Sequence, residues 1–171
     1  MKKIVLIAAM VLGFALAASA QNFRVGARIG SGFQAQGEYV YSDAKYFEGR
    51  FGIGWYNSLP AETAVLLGKT GPMLSADFTV LHNWNVCTMD WTPSAGLWFF
   101  DAGAGLTVGG GAKLATFGVV GCAKLGFEFN NVPCRVAIDY TPSFGPMIYD
   151  SKAYFNMCGF VILGASAVFS F

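Results

Sequence analysis

Apolar and polar residues alternate along most of the chain after residue 20, and this alternation constrains the fold more than any other feature. In the last segment, 155–171, almost every second residue is apolar and none is charged. Neighbouring side chains of a β-strand point to opposite faces, so the alternation predicts strands that each have one apolar face. Eight such segments lie between turn residues: 22–30, 33–41, 45–56, 73–86, 95–108, 114–129, 134–144 and 155–171.

The first twenty residues have the pattern of a secretory signal peptide. Two lysines follow the initial methionine, an apolar run covers 4–18, and an Ala-Ser-Ala sequence ends at residue 20. A transmembrane helix is the weaker interpretation, because the run is shorter than the ~20 residues that a span needs. We therefore expect a cleaved signal peptide at 1–20 and one domain at 21–171.

The composition of the remaining chain suits a membrane but not a membrane helix. Charged residues make up 12% of the sequence, about half of the ~25% usual in soluble domains. No segment after residue 20 is a continuous apolar stretch of ~20 residues. The other structure that satisfies every backbone hydrogen bond in lipid is a closed β-barrel. Without the two lysines of the leader the formal charge is −1 (9 basic, 10 acidic), which argues against a nucleic-acid partner.

Apart from Lys45 at a strand edge, the charged residues of the predicted strands fall out of phase with the apolar residues. We expect them to line the barrel interior: Arg24, Arg28, Glu38, Glu48, Arg50, Asp77, Asp101, Lys124, Glu128, Arg135 and Asp139. The same face is rich in glycine, serine and threonine, which fits the narrow interior of eight strands. Buried charges must be paired. This near-balanced set, five basic and six acidic, therefore predicts a plugged interior rather than a channel.

An even number of strands brings both ends of the domain to the same rim. With the first strand running outward, the periplasmic turns are predicted at 42–44, 87–94 and 130–133. The external loops are predicted at 30–33, 57–72, 109–113 and 145–154. Aromatic residues near many strand ends fit the girdles at the two membrane interfaces.

Several stretches resemble the small outer-membrane β-barrel domain family. They are Arg28-Ile-Gly30, Phe51-Gly-Ile-Gly-Trp55, Trp98-Phe-Phe-Asp101-Ala-Gly103-Ala-Gly105, Ile138-Asp139-Tyr-Thr-Pro142-Ser-Phe144 and Phe169-Ser-Phe171. The resemblance implies an eight-stranded antiparallel barrel in the outer membrane. It also implies that the barrel-assembly machinery recognises the last strand through Phe169 and Phe171. The family has no shared active site to transfer, so no catalytic residue, cofactor or metal is expected.

The remaining candidate residues favour structural roles. His82, the one histidine, falls on the lipid-facing side, which favours an interfacial position over a catalytic one. Cys87, Cys122, Cys134 and Cys158 allow three disulfide connectivities, but their strand assignments argue against pairing, since a disulfide needs Cα atoms within about 7 Å. The glycines at 109–111 lack the Lys-Ser or Lys-Thr of a phosphate loop, which favours an external turn.

The sequence thus favours an outer-membrane protein with a structural or surface-interaction role, anchored by lipid and offering loops 57–72 and 145–154 to an extracellular partner. A narrow ion or solute channel, similar to a porin, is the first alternative. An enzyme that modifies lipid is the second, and a soluble periplasmic barrel is an alternative fold.

The last residue provides a test of the assembly signal. We expect Phe171→Asp to reduce the amount of folded, heat-modifiable barrel while processed protein still reaches the periplasm. The difference in gel mobility between heated and unheated samples measures the folded barrel, and fractionation of the cells measures the processed protein in the periplasm. A folded fraction equal to that of the wild type would contradict the assignment of Phe171 to the signal.

Overall fold

The computed structural model describes residues 22–30, 32–54, 75–111, 114–149, 151–158 and 163–170. The predicted signal peptide, loop 57–72 and Phe171 lie outside these residues. The described strands are β1 (Phe23–Ile29), β2 (Gly32–Ser42), β3 (Lys45–Gly54), β4 (Ser75–Thr92), β5 (Gly96–Gly111), β6 (Leu114–Phe129), β7 (Cys134–Tyr140), β8 (Ser143–Tyr149), β9 (Lys152–Cys158) and β10 (Leu163–Ser170).

Eight of these strands form a closed antiparallel ring. The ring runs β1–β2–β3–β4–β5–β6–β7–β10 and returns to β1. β8 follows β7 and pairs with the first half of β6, from Leu114 to Val120, and β9 pairs with β8. The predicted fold class, a closed eight-stranded antiparallel β-barrel, is confirmed. We call the rim where β1 begins and β10 ends the termini end, and the opposite rim the far end.

The strands are staggered as in a strongly tilted barrel. Each residue has a partner on the next strand, so a row of partners can be traced around the ring. The row that starts at Ile29 and passes through β2, β3, β4, β5 and β6 reaches Ile148. The row that starts at Ile29 and passes the other way, through β10, reaches Ile138. Ile138 of β7 and Ile148 of β8 both pair with β6 in the same register, so they can be counted along one strand path. One full circuit of the ring therefore shifts the pairing by 148 − 138, or ten residues. With ~3.3 Å per residue and strands ~4.8 Å apart, this stagger corresponds to a tilt of about 40°.

Several predicted strand ends are wrong, and neighbouring strands explain each error. The predicted turn 87–94 is mostly strand, since β4 continues to Thr92 against β5 and only 93–95 form the turn. β5 likewise continues to Gly111 within the predicted loop 109–113. Backbone pairing with a neighbour sustains a strand even where its own residues do not alternate strongly.

The predicted external loop 145–154 is also wrong. It forms the hairpin of β8 and β9, in which Ser151 has a φ of 66°. Tyr149 and Met147 of β8 are buried against Leu114 of β6, and Tyr154 of β9 packs on them. An apolar cluster across strands therefore stabilises a hairpin that short-range alternation did not show.

Gly126 provides a test of how closely the strands pack. A Cβ added there would lie 2.2 Å from Phe99 Cζ and 2.4 Å from the carbonyl oxygen of Val136, whereas one added at Gly37 would meet nothing within 4 Å. Overpacking typically costs about 1–3 kcal/mol. We expect Gly126→Ala to lower the urea midpoint of unfolding in detergent micelles and Gly37→Ala to leave it unchanged. Equal midpoints for both variants would contradict this packing.

Candidate functional site

The interior of the barrel is the site that the sequence pointed to, and most of the predicted charges lie in it. Nine of the eleven side chains are buried: Arg28, Glu38, Glu48, Arg50, Asp77, Asp101, Lys124, Arg135 and Asp139. Arg24 is partly covered, and the Glu128 side chain is 49% exposed at the termini end. Each side chain sits inside because its strand alternates, which turns every second residue inward.

Lys124 of β6 lies at the centre of the interior. Its ammonium group donates to carboxylate oxygens of both Glu48 and Glu38, the latter at 3.4 Å, and to the Tyr46 hydroxyl at 3.2 Å. Glu48 also accepts hydrogen bonds from Arg50 and from the Asn83 amide, the latter at 2.7 Å. One cation on β6 is thereby bonded to carboxylates on β2 and β3, across the barrel.

Towards the far end, Arg28 and Asp139 form a two-pronged ion pair. Nε and Nη2 of Arg28 lie 2.7–3.0 Å from the Asp139 carboxylate oxygens. Nη1 of Arg28 donates to Gln34, whose amide donates to Asp77 at 2.6 Å. Gly164 leaves the room for this guanidinium, since a Cβ there would lie 2.2 Å from Nη2. Arg50 Nη1, 3.8 Å from Asp139, connects this group to the centre.

Towards the termini end, Arg135 and Asp101 form the second close pair. Nη2 of Arg135 lies 2.6 Å from Asp101, which also accepts the Tyr46 hydroxyl at 2.8 Å. The guanidinium carbon lies 3.5 Å from the Phe99 ring centroid, a cation–π contact. Closer to the termini end, the guanidinium of Arg24 lies 3.5 Å from the Glu38 carboxylate and 4.0 Å from that of Glu128.

One small cavity lies among these groups. A cavity of about 10 Å³ is lined by Glu38, Tyr46, Phe99, Lys124, Arg135, Ala137, Ser166 and Val168, and one water needs roughly 10–15 Å³. Elsewhere in the interior, Leu81, Val120 and Cys122 form a small apolar cluster.

Sequence reasoning missed the uncharged partners of the network. Tyr46, Gln34, Asn83, Asn85 and Thr141 each bond to a predicted charged residue. All five lie an even number of residues from a charged residue of the same strand or of the strand just before them: Tyr46 from Glu48, Gln34 from Glu38, Asn83 and Asn85 from Asp77, and Thr141 from Asp139. The alternation therefore carried this signal, because it places these uncharged residues on the same face as the predicted charges.

The outer face has the opposite character, because large apolar side chains lie exposed on it. Examples from eight different strands are Ile29, Phe33, Ile53, Phe78, Leu106, Phe117, Ile138 and Leu163. In the described strands the other charged residues are Lys45, Asp90 and Lys152, all within two residues of a strand end.

Aromatic rings form a belt on the outer face near the termini end. Phe23 contacts Tyr39, and the chain of rings from Trp91 through Trp98 and Phe127 to Phe129 has centroid distances of 4.9–5.8 Å. His82 lies in this belt among Tyr41, Phe47 and Trp84. Its predicted outward direction agrees with these contacts.

The described part of the chain holds free thiols but no cluster of side chains suited to a metal ion. Cys87, Cys122 and Cys134 carry free thiols there, and the Cys158 side chain lies outside it. Within the same residues, no group of three or more His, Cys, Asp or Glu side chains is placed to hold a metal ion. These residues also contain no helix long and apolar enough to cross a membrane, a finding that does not bear on crossing by strands.

Fold and site together define a closed antiparallel barrel with an ionic interior and an apolar exterior. No protein-family model and no curated protein matches the chain. Among solved structures, the chain is similar to the N-terminal β-barrel domain of Pseudomonas aeruginosa OprF, with 12% identity and a TM-score of 0.48 over 90% of this chain and 100% of that one. At this identity and score the likeness carries no inference about function.

Lys124 provides the test of the network. Its replacement in Lys124→Met leaves buried carboxylates without their central cation, and breaking a buried pair typically costs about 3–5 kcal/mol. We expect a clear loss in the free energy of unfolding, measured by urea titration in micelles, and almost none for the exposed control Lys152→Met. Adding Glu48→Gln to Lys124→Met should recover part of the loss. Similar values for the two single variants would show that the network does not stabilise the barrel.

Proposed function

We propose that this chain is an integral outer-membrane β-barrel protein with a structural and surface-interaction role, whose interior is closed by its own ion pairs. The observation that carries the proposal is the inverted polarity of the barrel. Soluble proteins rarely bury unpaired charges or expose large contiguous apolar patches. Here the charged side chains are bonded to one another inside, while phenylalanine, isoleucine and leucine side chains face outward.

The height of the apolar face supports a membrane as its surroundings. Along β4, the outward residues between Ala76 and Val86 are apolar except for His82. Ten residues at ~3.3 Å each and a tilt of ~40° cover about 25 Å, which is the height of the apolar band on outer-membrane barrels. The aromatic belt at the termini end then lies at one interface, and the termini end faces the periplasm.

The packing of the interior supports a plug over a channel. Lys124, Arg135 and Phe99 lie across the middle of the lumen, where the cavity is close to the size of one water. Among the described residues, His82 contacts the rings of Tyr41, Phe47 and Trp84 on the outer face, which supports a structural role over lipid modification. For partners, the far end offers the β8–β9 hairpin, where Ile148 and Phe155 are exposed. The last strand, β10, pairs with β1 and so closes the ring, which is the step that the barrel-assembly machinery would complete.

Two measurements on the full-length protein test the proposal. We expect the protein to stay with outer membranes through a carbonate wash and to be released by detergent. Recovery in the soluble periplasm would overturn the membrane assignment and establish the soluble alternative. We also expect no single-channel steps in planar bilayers, with a known porin as the positive control. Discrete conductance steps would overturn the plug while leaving the location intact.

A further inference from the structure

A histidine inside the apolar band is the feature of the outer face that the proposed function leaves unexplained. His82 lies 86 − 82, or four residues, from Val86 at the edge of the band along β4. At ~3.3 Å per residue and a tilt of ~40°, its backbone is about 10 Å inside the band. Neither water nor lipid headgroups reach this depth, so a polar group there needs a partner that lies within the membrane.

The bond between Tyr41 and His82 leaves one donor and one acceptor unused. The Tyr41 hydroxyl oxygen lies 2.6 Å from His82 Nε2. A phenol and a neutral imidazole each have one proton to donate, and a single bond between them uses one of the two. When the phenol donates to Nε2, the proton on Nδ1 of the imidazole and a lone pair of the hydroxyl oxygen are left over. Neither side chain has a second hydrogen-bond partner among the described residues.

This bonded pair is complementary to a second copy of itself. Two barrels in one membrane both stand along its normal, and a two-fold axis along that normal brings the same patch of both copies together at one height. The unused donor and the unused acceptor belong to two side chains that are bonded to each other, so they lie close together on the patch. Each His82 Nδ1–H can then donate to the Tyr41 oxygen of the other copy, which leaves no donor of either pair unused.

The surface beside the pair allows a second barrel to come close. Gly37 and Gly49 are cross-strand partners on the outer face, and a Cβ added at either would meet nothing within 4 Å. We call this open area the glycine recess. A stagger of ten residues over eight strands shifts a given height by 10/8, or about 1.25 residues, per strand. Because Phe47 pairs with His82, the level of His82 crosses β3 between Phe47 and Gly49, about 2 Å from Gly49. The His82 ring of one copy therefore meets the recess of the other at the same height.

We propose that this face forms a homodimer within the membrane, in which the Tyr41–His82 pairs of two copies bond to each other across a two-fold axis. The occupant is a second copy because one face supplies the donor, the acceptor and the recess that a like face needs. A lipid acyl chain fills a recess but accepts no hydrogen bond. This inference rests on the proposed function, because it needs the outer face to lie in lipid.

Energy transfer between copies in phosphatidylcholine vesicles measures the dimer. Copies carry a donor or an acceptor dye at the amino terminus, and dilution with lipid gives the dissociation constant. We expect His82→Phe and Tyr41→Phe each to weaken the dimer about tenfold, because each removes two bonds between copies and one such bond in a membrane is worth a factor of about three. Gly49→Leu, which fills the recess, should weaken it as well. The control Ala165→Leu, also exposed on the outer face but on β10 across the ring, should match the wild type.

A mixture of the two aromatic variants separates a bond between copies from a change within one copy. The His82→Phe copy keeps Tyr41, and the Tyr41→Phe copy keeps His82, so only their heterodimer can form one bond between copies. Its affinity should exceed that of either variant with itself by about threefold. Equal affinities for the three pairings would overturn the proposed contact.

The possible results separate this inference from the proposed function. Protein that does not float with the vesicles in a density gradient contradicts the membrane location itself. Protein that floats but stays monomeric at every dilution overturns the dimer alone, and the occupant of this face is then a different molecule. A dimer that His82→Phe and Gly49→Leu leave unchanged forms through another face, which overturns the assignment to this one.

Discussion

The ammonium group of Lys124 is the constraint on which the rest of the interior depends. It is buried in the middle of the lumen, where a charge without partners would be costly. Its partners come from β2 and β3, on the other side of the barrel. Glu48 is shared with Arg50, and Arg50 approaches Asp139, so each charge taken from water is balanced by the next. The register of the closed wall is the one that brings all of these groups together.

The same constraint explains the division between the two faces. With the charges paired inside, the outer face is left to apolar side chains, and the strands alternate between the two environments. Small residues give the network its room, as Gly164 does beside Arg28. His82 is the exception on the outer face, where it bonds to Tyr41 and lies among the rings of Phe47 and Trp84.

Strand positions were predictable where alternation was strong and bounded by turn residues. β6 begins and ends where the sequence predicted, at Leu114 and Phe129, because turn residues lie on both sides of it, the glycines of 109–111 before it and the turn 130–133 after it. The β8–β9 hairpin was not predictable from its own residues. Met147 and Tyr149 form part of a strand because β6 offers a partner and Leu114 covers them, and such a neighbour is invisible in a local pattern.

By itself, the sequence determined which face each side chain takes, because successive residues of a strand point to opposite sides whatever the partner strand is. The tertiary structure decided which charges meet. Arg28 and Asp139 are 111 residues apart in the chain and bond only because β10 lies between β1 and β7 with a stagger of ten residues around the ring. Alternation carries no information on height, and the height of each side chain is set by strand order, tilt and register together.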